Sequence, residues 1–134
     1  MRTRNREEVI RALQGRLFSY PGALAWYLLG SAARDQLRPD SDVDLAVLPR
    51  PETKVDPEEL LRFGASLMSH LGRTVDVGLV SSSNLVYAKE ALLNGILLSD
   101  AQPELTTLVK ANLLALYLRF QEDRKEVLDA YRAR

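Results

Sequence analysis

The chain has 134 residues, 46% hydrophobic and 27% charged, which suits one soluble domain with a real core. Eighteen basic and eighteen acidic side chains cancel to a formal net charge of zero, which argues against a globally basic nucleic-acid binder. Cysteine is absent and His70 is the only histidine, so disulfides and thiolate metal sites are excluded and a zinc site is disfavoured.

The opening "MRTRNREEVIRALQ" is charged and lacks the apolar stretch of a signal peptide. No apolar run approaches the length of a membrane span, so a cytoplasmic protein without membrane contact is expected. Val9, Ile10, Leu13 and Leu17 recur at helical spacing and predict an amphipathic helix over 7–18. Pro21-Gly22 ends it, and "ALAWYLLG" at 23–30 predicts a buried strand. Ser31 is placed to cap a short helix over 32–37. A turn at 38–41 leads into a second strand, "DVDLAVL", closed by Pro49 and Pro51.

Asp56-Pro57-Glu58-Glu59 is a strong helix start: a cap, a proline in the first turn, then acids. Gly72 closes that helix, and "RTVDVGLV" predicts a third strand. Ser81–Ser83 predict the cap of a further helix to about Leu93, with Asn94-Gly95 as its stop. "ILL" at 96–98 predicts a short fourth strand, and Pro103-Glu104 opens a last helix reaching toward Arg132. The order predicts an α/β layer fold: a small mixed sheet of three to five strands, helices mainly on one face, and one domain over 1–134. Only about a dozen residues separate the first two strands, near the minimum for a parallel crossover.

Strand periodicity puts Asp42 and Asp44 on one face, at the head of an apolar run. Two ionised carboxylates that close repel each other, and a divalent cation removes the conflict. Magnesium suits oxygen ligands and leaves room for substrate phosphates. Asp76, inside "TVDVGLV", needs a partner or an ion of its own. If the second and third strands are neighbours, three carboxylates reach one space and hold one or two magnesium ions for phosphoryl transfer. Gly30-Ser31, a strand end turning into a helix, offers N–H groups and a hydroxyl to phosphate. Arg34 is a candidate phosphate contact, with Lys89 and Arg73 as looser ones.

Gly30-Ser31, ten residues, then Asp42-Val43-Asp44 resembles the signature of nucleotidyltransferases of the DNA polymerase β superfamily. The small size resembles the minimal nucleotidyltransferases (MNT), which act as antitoxins beside HEPN ribonuclease toxins. The resemblance covers roughly residues 24–131 and implies the nucleotidyltransferase fold. It implies Asp42, Asp44 and Asp76 as magnesium ligands and catalytic carboxylates, and Gly30, Ser31 and Arg34 at the nucleotide. It also implies AMP transfer from ATP to a tyrosine of the toxin. One departure stands out: where many members carry Arg-Gly, this chain has Arg34-Asp35.

Two other readings share these residues. One is an antitoxin that blocks its partner by contact alone. The other is a small-molecule, aminoglycoside-type nucleotidyltransferase, a class that usually adds an acceptor domain. The stretch "ANLLALYLRF" is more apolar than one amphipathic stripe needs, which predicts an interface with a partner or a second copy. The five tyrosines are expected to serve packing or that interface.

Overall fold

The structure, a computed structural model, describes residues 2–133. Helix α1, Arg6–Leu13, starts at Asn5, whose side chain accepts from the Glu8 N–H. It is shorter than its apolar spacing predicts. Gly15, at φ +80°, turns the chain out of the helix, and Leu17 is carried instead by a 3-10 turn, Leu17–Ser19. Strand β1, Ala23–Leu29, is followed at once by the four-residue helix α2, Gly30–Ala33. Strand β2 is Val43–Pro49, helix α3 Pro57–Leu71 and strand β3 Val75–Leu79. Helix α4, Leu85–Asn94, strand β4, Ile96–Asp100, and helix α5, Pro103–Arg132, complete the chain.

Helix α3 follows its local signals closely. The Asp56 side chain accepts from the Glu58 N–H, and Gly72 ends the helix in a left-handed conformation at φ +65°. Two other caps differ from expectation. Ser31 lies inside α2, whose capping position is Leu29 and which has no side-chain cap. Helix α4 is capped by Asn84, not by the serines before it; the hydroxyls of Ser81 and Ser83 bond to each other.

The four strands form one mixed sheet in the order β3-β2-β1-β4. β1 is antiparallel to both β2 and β4, while β2 and β3 are parallel. The β1–β2 connection therefore needs no full crossover, as its shortness requires. Trp26, Leu28, Val43, Leu45 and Val47 face one side of the sheet and pack with α1, α2 and α3. Tyr20, Trp26 and Phe63 form an aromatic cluster there, with ring centroids 5.3–5.9 Å apart. The opposite side is also covered: Tyr27, Ala46 and Leu48 pack with Ala88, Ala91 and Leu92 of α4 and Leu113 of α5. Helices thus lie on both faces, not mainly on one, because β1 and β2 are apolar at nearly every position.

Candidate active site

Antiparallel pairing sets Leu29, the last residue of β1, opposite Asp44. Parallel pairing sets Asp44 beside Asp76. One row across the sheet therefore holds Leu29, Asp44 and Asp76 in sequence, and the Gly-Ser turn follows directly on Leu29. Both acids point to the α4 side, since Val43, Leu45, Val75 and Val77 take the other. They line a cavity of about 360 Å³ with Leu29, Val77, Gly78 and Tyr87.

The electrostatics record the crowding. Burial holds the Asp44 carboxyl above its ordinary range, and the charges of Asp76 and Asp42 push it further. Arg34 pulls the other way, so its charge lies within reach of the site. Its Nε donates to Gln36 Oε1 at 3.3 Å, and the side chain is exposed. Asp42 precedes the β2–β3 ladder, which opens with the Val43 N–H on the Thr74 carbonyl. It is exposed and stands outside the cavity lining. Among the described residues, no three acidic, histidine or cysteine side chains cluster tightly enough to hold a metal ion. The set is two carboxylates facing one cavity and a third just before the strand. A half-buried Asp44 beside an exposed Asp76, with oxygen the sole donor type, is the chemistry that fits a hard divalent cation.

Gly30 belongs to the same arrangement. It sits at φ +66°, and Asp44 Oδ2 occupies the space where a Cβ on residue 30 would stand. Asp35 resolves the departure noted in the sequence. Its backbone is left-handed, at φ +56°, which explains why glycine suits this place and why a short polar residue is tolerated. Its Oδ1 accepts from the Arg6 N–H at 2.9 Å, so the carboxylate caps α1.

The looser candidates serve elsewhere. Arg73 is buried and donates to the carbonyls of Thr3, Arg38 and Ser41 at 2.7–2.8 Å, tying the N-terminal segment to the loop before Asp42. Lys89 lies over the Tyr117 ring, 5.8 Å from its centroid. His70 meets Arg16 at 2.9 Å. Sequence reasoning missed Tyr87 as a lining residue; a glycine inside an apolar strand, Gly78, was the available signal for a close approach.

The family model described as polymerase beta, nucleotidyltransferase matches residues 12–104. The chain belongs to this nucleotidyltransferase family. The match spans the Gly-Ser turn, all three aspartates and Tyr87. Among solved structures, a toxin-antitoxin with AMP-PNP is similar at 24% identity and a TM-score of 0.72, covering 95% of this chain and 98% of that one. The MntA-HepT toxin-antitoxin is similar at 23% identity and a TM-score of 0.66, covering 95% and 96%. A tri-AMPylated Shewanella oneidensis HEPN toxin in complex with MNT antitoxin aligns at 23% identity and a TM-score of 0.66, covering 95% of each chain. These likenesses establish the nucleotidyltransferase fold over nearly the whole chain, α5 included. No protein of curated function matches the sequence.

Proposed function

We propose that the protein is a magnesium-dependent nucleotidyltransferase acting as an antitoxin, which moves AMP from ATP to a tyrosine hydroxyl of a HEPN ribonuclease toxin. Residues 1–134 act as one domain, in the cytoplasm. The observation that carries this reading is the single row of Leu29, Asp44 and Asp76 across β1, β2 and β3, with Gly30 next in the chain and packed against Asp44. Family membership supplies the reaction class. The antitoxin role is supported by similarity to toxin-antitoxin structures, one with AMP-PNP and one with an AMPylated toxin.

Asp44 and Asp76 would hold magnesium, with Asp42 completing the set from the start of β2. Bound there, magnesium neutralises the carboxylates and stabilises charge on the departing pyrophosphate. The N–H groups that open α2, directly after β1, and the Ser31 hydroxyl would receive the triphosphate. Arg34 adds positive charge at the rim. Asp76, the more exposed of the paired acids, is placed to accept the proton of the attacking hydroxyl. Gly30 keeps the turn against Asp44, so phosphate and carboxylates meet without a side chain between them.

The surface that meets the partner is α5. The stripe facing the core at Thr106, Val109 and Leu113 continues in register through Leu116, Phe120, Val127 and Tyr131. Exposure rises along it, from 7% at Leu113 to 41% at Phe120 and 74% at Tyr131. That half of the helix leaves the domain with its apolar face uncovered. The same face favours one second reading, inhibition by contact without transfer.

The test uses α-labelled ATP, magnesium and a HEPN partner. Label is expected on a partner tyrosine and is lost with Asp44→Ala or Asp76→Ala. Neutralisation that survives both substitutions would favour contact inhibition, and label on an aminoglycoside without any protein partner would favour the small-molecule reading.

A further inference from the structure

The cavity of the paired carboxylates is lined by a hydroxyl-bearing side chain of this chain, Tyr87. Tyr87 lies in the first turn of α4, and its N–H is the one that Asn84 caps, which anchors the helix start beneath its ring. The ring reaches over β3, and Oη lies against Gly78 where a Cβ would stand. Any side chain at residue 78 would collide with it. Glycine in mid-strand costs stability, so its presence here marks a place kept open for that phenol.

Tyr87 lines the same cavity as Asp44 and Asp76. Burial holds its phenol above the ordinary tyrosine range, and the charges of both aspartates add to the rise. The other tyrosines differ. Tyr20 is buried among the residues of the α1–α3 side, and Tyr27 is buried beneath α4. Tyr117 accepts from Gln121 along α5, and Tyr131 is exposed near its end. Tyr87 is thus the tyrosine that stands where an acceptor hydroxyl must stand: in the cavity it shares with carboxylates able to take its proton.

We propose that Tyr87 is itself an acceptor, and that the protein transfers a nucleoside monophosphate to its own Tyr87 when no partner hydroxyl fills the cavity. The inference rests on the nucleotidyl-transfer reading above. Tyr87 Oη forms a bond to the α-phosphorus of the nucleoside triphosphate. The bond from that phosphorus to the bridging oxygen breaks, and pyrophosphate leaves with the electron pair. The phenolic proton passes to Asp76 or Asp44. The adduct then occupies the cavity, so self-transfer stops at one nucleotide per chain.

The full chain, purified alone, is incubated with magnesium and α-labelled ATP, then examined by intact and peptide mass spectrometry. One AMP per chain is expected, on the peptide that carries Tyr87, and label falls to background in Tyr87→Phe. A second readout needs no turnover. A nonhydrolysable α,β-methylene analogue of ATP should perturb tyrosine absorbance in the wild-type protein and leave Tyr87→Phe unperturbed. Mapping on the wild-type chain keeps the test decisive even if the variant folds poorly. A parallel reaction contains the HEPN toxin. Label on the toxin in that reaction, with none on Tyr87 of the chain incubated alone, overturns this inference and leaves the transfer reading standing. Label on neither overturns both. Label on another tyrosine, or an analogue that leaves Tyr87 absorbance unmoved, also overturns it.

Discussion

The carboxylate of Asp44 fills the space that a side chain on Gly30 would need, so the end of β1 and the start of β2 are built as one unit. Gly30→Ala meets two obstacles: the left-handed backbone at φ +66° and the Asp44 Oδ2 atom. The backbone term alone costs roughly 1–2 kcal/mol. Urea unfolding should show at least that loss, and transfer from labelled ATP should fall more steeply than stability, because relief of the clash moves a carboxylate of the candidate site.

Asp44 should be a residue that function keeps and stability resents. Its carboxyl titrates above the unfolded value, so within that window the native state binds more protons than the unfolded chain. Stability contributed by this group therefore falls as pH rises through the window and stays reduced above it. Asp44→Asn removes the penalty. In a chelator, thermal melts should place the variant above wild type at neutral pH, within the roughly 0.5–2 kcal/mol of single stabilising substitutions, and level with it at the acid end. Magnesium-dependent transfer should disappear in the same variant.

Asp35 is expected to act on α1 and not on the nucleotide. Asp35→Ala loses the bond to the Arg6 N–H and leaves the backbone strain as it was, for a cost of about 1 kcal/mol. Asp35→Gly loses the same bond but relieves the backbone, so its cost should be smaller. Both variants should keep wild-type transfer rates once folded; a rise in rate for Asp35→Gly would mean that the carboxylate disturbs the phosphates after all.

Arg73 holds three backbone carbonyls from two segments, and its guanidinium is buried. Arg73→Met strands those carbonyls and should cost about 3 kcal/mol in chemical denaturation. Arg73→Lys, with a single ammonium in place of the fork, should recover only part. Were Arg73 a phosphate ligand instead, nucleotide affinity would drop while stability held.

Phe120→Lys and Val127→Lys alter side chains that the domain itself does not bury. Their melting temperatures should stay within about 0.5 kcal/mol equivalent of wild type. Capture of the proposed HEPN partner should weaken at least tenfold, as measured by titration calorimetry. A partner that binds both variants with unchanged affinity would remove α5 from the interface.

By itself the sequence determined the order of elements, the α3 boundaries and the mixed sheet. Each of these rests on signals carried within a few residues: a capping aspartate before a proline, a glycine stop, alternation that puts acids opposite valines. The resemblance built on Gly30-Ser31 and Asp42-Val43-Asp44 reached the right family for the same reason, since the motif is local. Tertiary structure decided what local signals do not encode. The carboxylate of Asp35 turns to α1, and the guanidinium of Arg73 joins segments more than thirty residues away along the chain. Only the packing of α4 brings Tyr87 over Gly78, and only the parallel pairing of β2 and β3 decides that Asp76 shares the row of Asp44 while Asp42 stands outside the ladder. Which groups meet across a sheet depends on strand order and register, and those follow from the burial of both its faces, a property of the whole chain.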